Sequence, residues 1–400
     1  MASIQETIKK INKAWKNQTL TSGDMIPEAK KLSLGTLGAD YALYGGLSLG
    51  KLVVFSGVEH SGKSLSACLA MAQYQKEFPD RVCIYVDAED TLPGQIDFIK
   101  KMTGLQDDEA HFMRYDCSGK AAEEIFDDIV ELQQSDGIGM IIIDSAPALV
   151  SQTDIDNPIA KDNGMRASIA KPLGKFIKRM ITLLPKQDNI LLIINQVRVD
   201  GKTFTGATIY SEPCGYALNY YPSIKVRFGT RTFTKGENAT LAASKAEESD
   251  GFRLKFSITK TRVGRMDRGG GFLTFRYEDG LDVFNDTLEV ALKFGYIQRP
   301  TMQSYALVDL DTGEIMQDEN GKDMKFVGKS SLVEFLKTNK EFTSKYLAML
   351  NRHISNASTG VNLLDEASFN EIINQENAVN ANSDFKPPVE DDDEEETGEE

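Results

Sequence analysis

Cysteine, histidine and long apolar runs are scarce in this sequence. Its 400 residues hold four cysteines, Cys68, Cys83, Cys117 and Cys214, and no C-x-x-C pair. Thiols scattered in this way exclude a zinc ribbon or a disulfide frame and suit a reducing cytosol. His60, His111 and His353 stand apart, which leaves no His-based metal centre or catalytic triad to expect. No stretch of about 18 apolar residues occurs, so no membrane-spanning helix is expected. The first residues lack the basic-then-apolar order of a secretory leader, and a cytoplasmic location is expected. No internal repeat marks a solenoid.

The formal net charge is −15, which argues at first sight against a nucleic-acid partner. The charge is unevenly placed, however. Glu390 to Glu400 carries nine acids and no base, and without them −15 becomes −6. A like-charge run after Pro387-Pro388 reads as an unstructured tail. It serves either solubility alone or as a polyanion competing with DNA phosphates for basic loops.

The most informative residues that are present form one stretch, Gly57-Val58-Glu59-His60-Ser61-Gly62-Lys63-Ser64. It follows an apolar run, Leu52–Phe55, that reads as a buried strand, and it precedes a helical pattern beginning at Leu65. In that strand–loop–helix context G-x-x-x-x-G-K-[ST] is a phosphate cradle. The glycines let backbone N–H groups turn inward, and the helix N-terminus adds its dipole. Lys63 is expected to reach the β- and γ-phosphates and Ser64 to hold Mg²⁺. A nucleoside triphosphate and Mg²⁺ are therefore expected, gripped by residues 57 to 65.

Further strand candidates are Val82–Val86, Met140–Ile143, Ile190–Ile194, Ile224–Phe228, Arg253–Ile258 and Gly271–Arg276. Helical patterns fall at Leu65–Lys76, Ala121–Gln134 and Pro172–Leu184. Apolar strands alternating with helices predict an α/β fold with a mostly parallel, doubly wound sheet and an antiparallel edge. Four segments are expected. Residues 1–31 are an N-terminal helix and linker, and 32–280 an ATPase core. Residues 281–356 are a small α/β domain, and 357–400 a linker and acidic tail. Ser3-Ile4-Gln5-Glu6 is a capping box, and Ile4, Ile8, Ile11 and Trp15 form an apolar stripe that needs a surface. That surface is either the chain's own core or, as we expect, a neighbouring copy. Ser151–Gly164 and Gly201–Cys214 are long polar stretches where a compact domain prefers short turns, so they are candidate functional loops.

In such a sheet the strand ends deliver ligand-binding residues to one edge. Here those ends are Asp87-Ala88-Glu89, Asp144-Ser145 and Asn195-Gln196. Asp144 suits the Mg²⁺ side of the site. Glu89 suits a base for the attacking water. The Gln196 amide can bond a γ-phosphate and release it, which makes it a candidate sensor at the mouth of the second loop.

Taken in order, the phosphate loop, Asp-Ala-Glu, Ile-Ile-Ile-Asp-Ser and Ile-Ile-Asn-Gln-Val-Arg closely resemble the RecA family of strand-exchange proteins. Cys214-Gly215-Tyr216-Ala217-Leu218-Asn219-Tyr220 resembles that family's element after its second DNA loop. The resemblance runs from about Leu32 to Tyr277, and departures from the bacterial pattern point to a bacteriophage recombinase, RecA-like or UvsX-like. It implies DNA contacts from Met165 and Arg166 after the first loop. From the second, Val197–Cys214, it implies contacts by Arg198, Lys202, Phe204 and Thr205. It implies that Lys260 and Arg262 reach a neighbour's γ-phosphate, as an arginine finger does in trans. It further implies ATP as the nucleotide, helical filaments on single-stranded DNA, pairing with homologous duplex DNA, and single-strand-binding or mediator proteins as partners. The family's adenine-stacking tyrosine has no clean match, with Ile96 and Phe98 both open. Asp311–Lys325 resembles an insertion. Lys322, Lys325, Lys329, Lys337, Lys340 and Lys345 make the C-terminal segment locally basic, either to gather duplex DNA or as a solvated face. Rival readings are a hexameric helicase of the same fold, a DNA-coating protein that uses ATP only to assemble, and a signalling ATPase without DNA. Deleting Glu390–Glu400 should tighten DNA binding, most visibly at low salt where charge is least screened. An affinity unchanged across a salt titration would leave the tail a solubiliser.

Overall fold

The computed structural model describes residues 3–14, 19–26, 29–157, 169–202, 208–236, 239–264, 266–318 and 320–358. A sheet of eleven strands organises the chain. Six of its strands run parallel, in the order Phe112–Asp116, Val82–Asp87, Ile138–Asp144, Ile190–Gln196, Lys51–Gly57, Ile224–Phe228. Gly251–Thr261 then adds antiparallel to Ile224–Phe228, and the remaining strands extend that antiparallel edge. This is the mostly parallel, doubly wound α/β architecture that the alternating pattern implied.

The central strands are apolar without interruption because helices cover both faces. Val53, Phe55, Ile142, Leu192 and Ile194 turn to one side, against the Lys63–Glu77 helix. Leu52, Val54, Ile141, Ile143, Leu191 and Ile193 turn to the other, against the helices Ala122–Gln134 and Ala170–Leu183. Those two helices meet through Phe126 and Phe176, whose rings stack with centroids 4.5 Å apart. The Lys63–Glu77 helix is buried around most of its circumference, so it carries no clean amphipathic stripe.

Several elements were not anticipated. The edge strand Phe112–Asp116 mixes buried and exposed residues, so it lacks the apolar run of its neighbours. The helix Ile96–Thr103 buries only Ile99, Met102 and Thr103. The second long polar stretch is not structureless. Arg198–Lys202 and Thr208–Ser211 pair as an antiparallel hairpin, with Arg198 opposite Ser211. Its two strands are short and polar, which hid them among loop-like residues. The first stretch begins with a single helical turn, Gln152–Asp156, capped by Ser151.

The N-terminal helix spans Ile4–Ala14 and buries nothing. Its capping box is formed: the Ser3 N–H donates to Glu6 Oε2 at 2.9 Å and the Glu6 N–H to Ser3 Oγ at 3.2 Å. Ile4 is 71% exposed. Trp15 lies outside the described residues, as does the acidic tail. After the core come the helix Val283–Lys293, a three-stranded antiparallel sheet and two further helices, Lys329–Thr338 and Lys340–Ser358. They share a core of Phe284, Leu288, Leu307, Leu332 and Leu347. Residues 308–323 join two of its strands through the bridges Val308–Ile315 and Gln317–Asp323.

The Val283–Lys293 helix meets the core at Leu37–Ala42 through a buried carboxyl group. The Gly38 N–H donates to Asp286 Oδ2 at 2.7 Å, while Asp286 Oδ1 is buried without a partner. A side chain at Gly38 would strike Asp286, since its Cβ would lie 2.6 Å from Oδ1. Burial, with Glu289, Asp40 and Asp282 as like-charged neighbours, pushes the Asp286 carboxyl from 3.8 up to about 8. A raised folded-state value means the fold prefers the proton. This contribution is complete below pH 4 and is lost as pH rises through 8. Asp286→Asn should therefore gain about 1–3 kcal/mol at pH 8, the scale for a buried unpaired polar group, and flatten the decline. Urea unfolding midpoints across that range measure it, and parallel pH profiles for the two proteins would refute it.

Candidate functional site

The parallel strands end along one edge, and the Gly57–Ser64 loop curls there between its strand and helix. Its glycines are required by space. A Cβ at Gly57 would lie 2.6 Å from Ser61 Oγ and 2.7 Å from the Phe228 carbonyl. Gly62 has φ +84°, and a Cβ there would lie 2.4 Å from Leu254. His60 also adopts a positive φ of 57°. Only glycine at these two positions lets the loop curl this closely against Phe228 and Leu254. Lys63 is buried, and its ammonium donates to the Val58 carbonyl at 2.7 Å. Burial lowers its proton affinity, while the charges of Asp144, Glu89 and Glu59 oppose that shift.

Asp144 is buried at the end of its strand. Burial raises its carboxyl, and hydrogen bonds from Ser64 and Tyr85 counter the rise. The Tyr85 hydroxyl donates to Asp144 Oδ2 at 2.5 Å. Ser64 and Asp144 are therefore adjacent, a hydroxyl and a carboxylate of the hard-oxygen kind that suits Mg²⁺. Glu89 accepts from Ser145 Oγ at 2.5 Å and from Gln196 Nε2 at 3.3 Å. Lys63, Ser64, Glu89, Asp144 and Gln196 thus share one edge. Asp87 is engaged elsewhere: it accepts from the N–H groups of Thr91 and Leu92 and from Arg114 Nε at 2.8 Å.

The edge is tied to the second polar stretch. The Asn195 amide donates to the Pro213 carbonyl at 3.2 Å, and the Val197 N–H to the Gly57 carbonyl at 3.1 Å. Next to Pro213, Glu212 accepts from Lys225 at 2.6 Å and from Arg227 at 3.0 Å. Burial alone would raise the Glu212 carboxyl, but these two cations hold it below its ordinary value. Both ends of the hairpin region are therefore anchored to the sheet.

Lys260, on the strand Gly251–Thr261, and Arg262, just after it, reach to the turn Ala217–Tyr220. Lys260 Nζ donates to the carbonyls of Asn219 at 2.7 Å and Tyr220 at 2.6 Å, and Arg262 also donates to the Tyr220 carbonyl. Burial and the nearby charges of Arg262 and Lys225 lower the proton affinity of Lys260. Tyr216 and Tyr220 on this turn are 77% and 63% exposed. Arg198 is exposed, and Lys202 ends its strand. Met165, Arg166, Phe204 and Thr205 lie outside the described residues. Ile96 packs partly into the core, whereas Phe98 is 40% exposed.

Sequence reasoning passed over Tyr85, the clasp of Ser145 on Glu89, and the Glu212–Lys225–Arg227 cluster. Tyr85 left one signal, a hydroxyl inside an otherwise apolar strand run. The ion cluster left none, because Glu212 lies beyond its strand and meets the neighbouring cations Lys225 and Arg227 only when the chain returns from the hairpin.

A family model described as the RecA N-terminal domain matches residues 2–264. The chain is 27% identical over 304 residues to Protein RecA of Mycoplasma pneumoniae, covering 74% of this chain and 84% of that protein. It is 28% identical over 355 residues to Protein RecA of Campylobacter fetus, covering 86% and 92%. To Protein RecA of Rickettsia bellii it is 26% identical over 346 residues, covering 86% and 90%.

Gly62→Ala tests the cradle. The positive φ and the contact with Leu254 should lower stability by about 1–3 kcal/mol. The displaced loop should lose binding of a fluorescent ATP analogue, read by anisotropy while circular dichroism reports the retained fold. Wild-type affinity in the variant would mean the loop does not cradle phosphate.

Proposed function

The chain belongs to the RecA family, and on that premise we propose that it is an ATP-dependent DNA recombinase. It forms helical filaments on single-stranded DNA, pairs that strand with homologous duplex DNA and exchanges strands. A phage origin of the UvsX-like kind, a cytoplasmic site of action and service by single-strand-binding or mediator proteins belong to the same proposal. The observation that carries it is the meeting of Lys63, Ser64, Asp144, Glu89 and Gln196 at one edge, with Asn195 bonded to the far end of the second loop.

In this reading residues 57 to 65 hold the triphosphate, and Ser64 and Asp144 hold Mg²⁺. Bound Mg²⁺ would neutralise charge on the phosphates. Lys63 exchanges the Val58 carbonyl for phosphate oxygens. Glu89 orients and deprotonates the attacking water. Gln196 has two places to bond, Glu89 or the γ-phosphate, and its choice alters the strand that enters the hairpin. Nucleotide state and loop position are coupled in that way, because the two arrangements of one amide bias one element. Met165, Arg166, Arg198, Lys202, Phe204 and Thr205 contact the DNA, cations on phosphates and Phe204 on a base step. Sequence is read by base pairing, while the protein grips the backbone.

Lys260 and Arg262 complete a neighbour's site from across the boundary, so the nucleotide becomes part of the interface. The stripe of Ile4, Ile8, Ile11 and Trp15 docks on another copy. Residues 1–31, 32–280, 281–356 and 357–400 divide these tasks as assembly arm, ATPase core, duplex-gathering domain and acidic tail. Negative-stain imaging with single-stranded DNA and a slowly hydrolysed ATP analogue tests the proposal. Wild-type protein should form helical filaments, and Lys63→Ala should form none. Closed rings alone would favour a helicase. Protein that ignores oligonucleotides in every nucleotide state would end the recombinase reading.

A further inference from the structure

Tyr85 is almost fully enclosed, with its ring among the buried side chains on one face of the sheet. Its centroid lies 6.3 Å from that of Phe112. Its strand runs parallel to Ile138–Asp144, with Tyr85 opposite Ile142 and Asp87 opposite Asp144. Asp144 is two residues beyond Ile142, so it projects from the same face as Tyr85. That diagonal is about 7–8 Å between backbones, a span an aromatic side chain with a terminal hydroxyl can bridge. The phenol bridges it, and at 2.5 Å its hydrogen bond to Asp144 Oδ2 is short.

Packing does not account for the hydroxyl. A phenyl ring would fill the same space, and burying a hydroxyl is unfavourable unless it is hydrogen-bonded. Nor is Tyr85 the only polar group beside Asp144, because the Ser64 hydroxyl lies close enough to lower its proton affinity as well. What a second donor adds is orientation. The last torsion of an aspartate is broad and roughly two-fold, so a carboxylate held at one point can still turn. With Tyr85 fixing Oδ2 and the Ser64 hydroxyl close by on another element, that turning is restricted.

We infer that Tyr85 is a positioning residue that fixes the Asp144 carboxylate in the plane needed to meet a divalent cation beside Ser64. This rests on the reading of Ser64 and Asp144 as the Mg²⁺ side of a triphosphate site. Partners that orient a metal-side carboxylate typically contribute 10- to 100-fold to metal affinity.

Tyr85→Phe keeps the ring and deletes the one hydrogen bond. The readout is binding of a fluorescent ATP analogue, followed by anisotropy as Mg²⁺ is titrated, with thermal unfolding of the same samples. The Mg²⁺ concentration for half-maximal binding should rise about 10-fold in Tyr85→Phe. Binding in EDTA should match wild type. In an Asp144→Asn background the further change Tyr85→Phe should leave the Mg²⁺ dependence unmoved, because the effect travels through that carboxylate. A purely structural tyrosine would lower the unfolding temperature and leave the Mg²⁺ titration where it was, and that result overturns the inference. If Asp144→Asn shifts the titration and Tyr85→Phe does not, the positioning role fails and the nucleotide site stands. If wild-type binding ignores Mg²⁺ altogether, both fall.

Discussion

An ammonium group withdrawn from water must find oxygen, and the arrangement around Lys63 follows from that requirement. The lysine opens a helix whose flanks are packed, so its side chain can leave only toward the loop. There it meets the Val58 carbonyl, while Asp144 and Glu89 supply negative potential from neighbouring strands. Each acid is in turn held by a hydroxyl, Tyr85 on Asp144 and Ser145 on Glu89. The charges are thus arranged before any ligand arrives. A triphosphate entering the loop would substitute for a weak carbonyl partner without requiring the cluster to be rebuilt. Such preorganisation is where enzymes of this kind derive most of their electrostatic advantage.

The geometry that makes this possible is the parallel sheet. Parallel strands bring all their C-terminal residues to the same edge, and a crossover helix between each pair keeps those ends apart in sequence. Asp87, Asp144 and Gln196 are more than fifty residues from one another along the chain, yet strand pairing places Asp87 directly beside Asp144 and Gln196 beside Gly57. The antiparallel half has a different role. It carries Lys260, which with Lys225 and Arg227 of the adjoining last parallel strand secures the return from the hairpin through Glu212 and the Ala217–Tyr220 turn.

Much of this was legible in advance, and for a physical reason. Buried parallel strands announce themselves as apolar runs, and each run here ended in a polar residue that the fold brings to the edge. Leu52–Phe55, Met140–Ile143 and Ile190–Ile194 were readable on that account. The Phe112–Asp116 strand was not, because an edge strand alternates its exposure and Arg114 reaches back to Asp87. The Arg198–Lys202 and Thr208–Ser211 hairpin escaped for a related reason: a two-stranded ribbon with little apolar surface looks like a loop in composition. Tertiary pairings such as Tyr85 with Asp144, or Gly38 with Asp286, leave no local trace and emerge only when distant elements are set side by side.

The cap on the Ala217–Tyr220 turn has an effect that reaches beyond its few atoms. Two cations there are committed to the last carbonyls of a single helical turn, which has almost no other means of satisfying them. An anion that recruits Lys260 and Arg262 strips that turn of its clasp at the same instant. The largely exposed rings of Tyr216 and Tyr220 flank the same turn, so they would meet that loss first.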